Sequence, residues 1–106
     1  ERAPAVTVPF SVSHRSAYHI MPIVLPERVN REEAILQLRE AGIQTSIHYP
    51  PAHTLSLYRE LLPGVSLPVT EDYSSRELTL PLHPRLEDEH VDRITQAVAE
   101  IVAQNS

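Results

Sequence analysis

Residues 42–53 (GIQTSIHYPPAH) set a helix-stopping glycine, a short β-branched run, a Tyr-Pro-Pro turn and two histidines in one unbroken stretch. Gly42 ends a helix cheaply, because it accepts the left-handed backbone that a helix stop requires. Pro50 and Pro51 cannot donate to a β-ladder, so a strand running through this stretch must end before them. Helix, strand and turn therefore follow one another within a few residues. The passage leaves His48, Tyr49 and His53 at the mouth of a strand, where ligand sites on α/β sheets lie.

The elements on either side follow from local signals. Asn30 is placed to cap a helix, Glu33 completes a capping-box-like pair, and Val29 and Ala34 occupy the staple positions. Ala34, Ile35, Leu38 and Ala41 then form an apolar stripe at helical spacing. Residues 43–48 alternate, with Ile43, Thr45 and Ile47 on one side and Gln44, Ser46 and His48 on the other, which predicts a half-buried strand. Residues 18–25 (YHIMPIVL) read as a strand apolar on both faces apart from His19, and Pro22 demands an edge or a bulge there. Residues 78–82 (LTLPL) read as a third strand.

Three further helical segments are expected. Residues 53–62 show Leu55, Tyr58, Leu61 and Leu62 on one face and stop at Pro63-Gly64. Thr70 is placed to cap a turn or two that run to Arg76, with Glu71 and Asp72 suiting the positive end of the dipole. A last helix starts near Glu87 and carries Val91, Ile94, Val98 and Ile101. Residues 1–15, with Pro4 and Pro9, read as an extended lead-in.

The order is β-α-β-α-(α)-β-α, which predicts an α+β fold. Its expected form is an α/β two-layer sandwich: a small three-stranded sheet, mixed or mostly antiparallel, with helices packed on one face. The first two strands are expected to run parallel, with the third antiparallel to at least one. The second face of residues 18–25 would then be apolar and open, a surface that calls for a docking partner.

Composition removes several classes of function. A chain of 106 residues suffices for one modest core. The net charge of −5 argues against a nucleic-acid binder, which would show a basic face. There is no cysteine, so thiolate chemistry and cysteine-based zinc sites are excluded. No apolar run approaches the roughly 20 residues that cross a bilayer. No signal peptide is visible, and a cytoplasmic location is expected. The chain begins at Glu1 and its single methionine is Met21, which reads as a trimmed chain or a piece of something longer.

Two glycines do not make a phosphate cradle. His48 and His53 lack a neighbouring carboxylate that would complete a metal set, so no metal site is expected. No G-x-S-x-G elbow supports a nucleophilic triad. His19 reads as a packing residue, His14, His83 and His90 as surface or turn residues, and Tyr58 and Tyr73 as core. Arg15 and Arg76 read as solvated, although an arginine fork suits a carboxylate or phosphate. For His48, Tyr49 and His53 two readings stand at this point: a rigid proline turn, or part of a binding site.

The blocks SAYH-I-PI, L-REAGI-TSIHYPPAH, LPVTEDYSSRELTLPLHP and LEDEHVDRI occur here in that order. Together they resemble the C-terminal segment of the DegT/DnrJ/EryC1/StrS aminotransferases, from about Ser16 to the last helix. The resemblance implies the small domain of a fold-type I enzyme that uses pyridoxal phosphate (PLP) to aminate nucleotide-linked keto-sugars. It implies residues 1–15 as a lead-in from a large PLP domain and residues 16–106 as the small domain. It implies further partners for the parent protein: a nucleotide-sugar, an amino donor and a homodimer mate.

The nine basic side chains are all arginine, and the chain has no lysine to form the Schiff base with PLP. The expectation is therefore no catalytic, cofactor-binding or metal residue here, and no PLP bound by the fragment alone. The resemblance implies His48, Tyr49 and His53 as substrate-binding residues, shaping a pocket and excluding water. Self-association of the fragment is a further expectation. The alternative is a non-catalytic ligand-binding or dimerisation module of the same architecture.

Overall fold

The computed structural model describes residues 5–9 and 16–105. Most of the expected lead-in lies outside them, as do His14 and Arg15. The described residues form β1 (Met21–Val24), α1 (Arg31–Glu40), a single 3-10 turn (Ala52–Thr54), α2 (Ser56–Leu61), α3 (Pro68–Arg76), β2 (Glu77–Leu80) and α4 (Asp88–Gln104). Among the described residues the fold is α+β, with four α-helices and a two-stranded antiparallel sheet.

α1 begins and ends where its local signals place it. The Asn30 side chain accepts the Glu33 N–H at 3.1 Å, and Val29 and Ala34 of the staple are both buried. Gly42, at φ +81°, closes the helix. The Gly42 N–H donates to the Arg39 carbonyl at 2.9 Å and the Ile43 N–H to the Leu38 carbonyl at 2.8 Å, the paired bonds of a Schellman stop. Arg93 of α4 donates to the Ala41 carbonyl, so α4 ties down the same end. Asn30→Ala removes the acceptor for an otherwise unpaired N–H. It is expected to lower stability by about 1 kcal/mol, read as a shift in the denaturant midpoint.

The sheet pairs Met21 with Leu80, Pro22 with Thr79, Ile23 with Leu78 and Val24 with Glu77. Directly opposed residues share a face. One face therefore carries Met21, Ile23, Leu78 and Leu80, and the other carries Pro22, Val24, Glu77 and Thr79. The first faces the core, where Ile23 and Leu78 pack with Leu25, Val29, Ala34, Leu38, Ile43 and the α4 residues Val98, Ile101 and Val102. Pro22 sits without loss because Thr79, its partner, spends its own N–H and carbonyl on Ser46.

The strand expected over residues 43–48 is the main correction. Residues 43–48 make a single antiparallel bridge, Ser46 to Thr79, on the edge of β2 away from β1. In that register the next hydrogen-bonded partners would be Gln44 with Pro81 and His48 with Glu77. Pro81 has no N–H to give. The Glu77 N–H is bonded to the Tyr73 carbonyl at the end of α3, and its carbonyl receives Arg31 Nη1 at 3.3 Å. The ladder is clipped on both sides of Ser46. Its direction agrees with expectation, since residue 46 and β1 both run antiparallel to β2 and hence parallel to each other.

The other departures have equally local causes. The expected helix over residues 53–62 breaks at Leu55, which is extended at φ −68° and ψ 145°, between the 3-10 turn and α2. α3 starts two residues before Thr70, at Pro68, whose fixed φ and missing N–H suit a first helical position. The Leu67 N–H at that start is accepted by the Glu71 carboxylate at 2.6 Å, so Thr70 is not the cap. Strand β1 is shorter than residues 18–25, leaving His19 exposed rather than packed. Tyr58 is exposed together with Leu55, Leu57, Leu61 and Leu62, while Tyr73 is half-buried. The second sheet face is not the open apolar surface expected: Val24, Glu77 and Thr79 are all buried.

Candidate functional site

What covers that second sheet face is the stretch around His48. Glu77 stands beneath it with 0% of its surface exposed, an unusual place for a carboxylate unless it is well bonded. Its Oε2 accepts the His48 N–H at 2.9 Å, the N–H that the clipped ladder left over. Its Oε1 accepts the Thr79 hydroxyl at 2.5 Å. The Thr79 oxygen in turn lies 2.7 Å from His48 Nδ1. Carboxylate, hydroxyl and imidazole thus form a short chain of hydrogen bonds across the sheet face, and it fixes both the backbone and the ring of His48.

Tyr49 follows on the outer side. Its ring meets the His48 ring edge-on, with centroids 4.6 Å apart and planes at 79°, a favoured aromatic geometry. Even so, 68% of Tyr49 is exposed. The His48–Tyr49 peptide bond is cis.

His53 is held by a different element. It lies in the 3-10 turn, with its side chain only 9% exposed and its Nε2 3.3 Å from a Glu71 carboxylate oxygen on α3. The Glu71 carboxyl is held below its ordinary range, chiefly by the Leu67 N–H and then by His53, against an opposing effect of desolvation. This tether therefore belongs to pH values above the ordinary carboxylate range and weakens as acid protonates Glu71. His53 Nδ1 is buried without a hydrogen-bond partner among the described residues. The turn itself is braced by the Thr54 hydroxyl, which donates to the Pro51 carbonyl at 2.6 Å.

Of the three sequence-derived candidates, His48 and Tyr49 come together over the sheet, and His53 anchors the segment to α3. Glu77 and Thr79 escaped the sequence reading. The signal available was the alternation Glu77-Leu78-Thr79-Leu80, which sets two polar groups on one side of a buried strand. Glu77 also acts on Tyr73, whose hydroxyl is pushed up by burial and then by the carboxylate's charge. Arg76 is not simply solvated: its fork grips Asp72 at 3.1 and 2.7 Å, and Nη1 reaches the Leu25 carbonyl at 2.8 Å. That grip holds the Asp72 carboxyl below its ordinary range.

A shallow groove lined by Arg39, Gln44, Ser46 and His83 runs nearby and includes none of the three candidates. Among the described residues no cluster of three or more His, Asp or Glu side chains could hold a metal ion. No helix among them is long and apolar enough to cross a membrane.

The architecture is shared with solved structures. PseC of Helicobacter pylori, an aminotransferase involved in pseudoaminic acid biosynthesis, superposes with a TM-score of 0.85 at 26% identity, over 95% of this chain and 28% of that one. A DegT DnrJ EryC1 StrS aminotransferase from Brucella abortus gives 0.75 at 33% identity, over 92% and 26%. NtdA of Bacillus subtilis, solved with bound cofactor PMP, gives 0.78 at 27% identity, over 94% and 23%. This chain therefore spans about a quarter of the length of each. The model of the DegT/DnrJ/EryC1/StrS aminotransferase family matches residues 1–99, and the chain belongs to that family.

Proposed function

We propose that residues 16–106 act as the C-terminal small domain of a PLP-dependent aminotransferase whose substrate is a nucleotide-linked keto-sugar. Residues 1–15 are the lead-in from the large domain. In this reading the segment from His48 to His53 forms one wall of the substrate cleft and helps to exclude water from it. His48, Tyr49 and His53 bind and shape; none of them performs the chemistry.

The observation that supports the reading is the contrast within this segment. His48 is fastened to a fully buried carboxylate and His53 to α3, yet the Tyr49 ring between them is largely exposed. An exposed aromatic ring beside a fixed imidazole suits the apolar face of a hydroxyl-rich ligand.

PLP supplies the electron sink for amino transfer when bound by a lysine amine. This chain contains no lysine, so it does not provide that attachment, and no step of the amino transfer is assigned to its residues. The proposed partners are a large PLP domain and a homodimer mate. The exposed apolar side chains of α2 and its flanks, Leu57, Leu61 and Leu62 among them, offer surface for such packing.

The test is Tyr49→Ala in the full-length enzyme. The expected result is a rise of about tenfold in KM for the nucleotide-sugar, as for a contact of ~1.4 kcal/mol, with the amino-donor half-reaction unchanged. An unchanged KM for the sugar, or an equal loss in both half-reactions, would overturn the cleft-wall reading.

A further inference from the structure

We propose that Glu77, acting through Thr79, is a positioning residue that locks His48 in the Nδ1–H tautomer and presents Nε2 as a hydrogen-bond acceptor to the ligand. The argument is one of donors and acceptors. Both oxygens of the buried Glu77 side chain accept, one from the His48 N–H and one from the Thr79 hydroxyl. A hydroxyl has a single proton. Once Thr79 gives it to Glu77, the Thr79 oxygen can only accept from His48 Nδ1, 2.7 Å away, so the imidazole proton must sit on Nδ1.

In neutral His48 the other nitrogen, Nε2, then carries a lone pair, and no described residue takes it up. An acceptor at that point selects ligand groups that donate. A sugar hydroxyl or an amine fits; a phosphate or carboxylate oxygen does not. The proton position is thus a specificity element, set two residues along a strand from the group that supplies it. The same logic orients ligating histidines through their second nitrogen, here with a hydroxyl placed between carboxylate and ring.

Glu77→Gln gives the lock a direct test, because it keeps the shape and reverses the chain. The carbonyl of the introduced amide must face the His48 N–H, since its NH2 there would set donor against donor. That NH2 then donates to Thr79, freeing the Thr79 proton for His48 Nδ1. His48 should switch to the Nε2–H tautomer and become a donor toward the ligand.

The measurement is the imidazole 15N spectrum of the full chain at about pH 8, above the ordinary histidine range. His48 is assigned by the loss of its signals in His48→Gln. In the wild type, Nδ1 should resonate as the protonated, pyrrole-type nitrogen and Nε2 as the bare, pyridine-type one. In Glu77→Gln the two assignments should exchange. Thr79→Val, which removes the hydroxyl and keeps the strand, should abolish the Nδ1–H preference and carries the test if Glu77→Gln does not fold. A wild-type His48 protonated on Nε2, or a tautomer indifferent to both substitutions, would overturn the proposal.

The part concerning the ligand rests on the reading of His48 as a cleft wall, whereas the tautomer does not. A positive 15N result with an unchanged sugar KM in Tyr49→Ala would leave the lock standing and remove the cleft. The reverse pair of results would remove the lock alone.

Discussion

Leu78→Ala is expected to cost about 2–5 kcal/mol, a large part of the roughly 5–15 kcal/mol that keeps a domain of this size folded. Leu78 has no exposed surface and lies in the centre of β2, against Ile23 across the ladder and the inner faces of α1 and α4. Truncation would leave a cavity that neither strand can close, because the register is held from both sides of β2. Urea or guanidinium unfolding measures the loss. Val91→Ala is the control, since Val91 is exposed although sequence periodicity put it on the same stripe as Val98. It should change stability by no more than about 0.5 kcal/mol. Equal losses from the two would mean that the core is elsewhere.

Glu77→Ala is expected to loosen the wall around His48 while leaving the sheet in place. It strips the His48 N–H of its carboxylate acceptor and releases the Thr79 hydroxyl. An orphaned buried donor costs about 1–3 kcal/mol, and the space vacated by the carboxylate adds to that. The sharper sign is local. Amide hydrogen exchange at His48 should accelerate well beyond that of Leu78, because residues 43–48 have no ladder to fall back on. Glu77→Gln, which keeps an acceptor for the same N–H, should protect His48 better than Glu77→Ala. If His48 exchanged at the same rate in all three proteins, the carboxylate would not be what holds the segment.

The parts of the fold that were legible in the sequence are those decided within one turn of chain. The Asn30 cap, the Val29 and Ala34 staple and the Gly42 stop are each settled by neighbours, and α1 follows its local signals closely. The failure of the strand expected over residues 43–48 was not legible, because it depends on residues from distant parts of the chain. Pro81 withholds one donor, and α3 and Arg31 have already claimed the backbone of Glu77. The site was legible in the same partial way. His48, Tyr49 and His53 stood out by type and setting, but Glu77 looked like the boundary of a strand, since a charged residue scores against burial. Only the folded chain shows that its charge is matched by two donors, one of which the failed strand set free. The apolar face of the 53–62 segment read as core for the opposite reason: periodicity reports that a face is apolar, and says nothing of which surface receives it.

Proline also governs the outer border of the sheet. Thr7 and Val24 exchange both backbone hydrogen bonds, at 3.0 and 2.8 Å. Carried two residues further, that register would set Pro9 opposite Pro22, and neither has a proton to offer. The pairing halts after one rung, and the same two rings deny that border to any incoming strand. Edge-to-edge stacking, the usual route from small exposed sheets to fibrils, is obstructed on the β1 side by the covalent structure of the backbone itself.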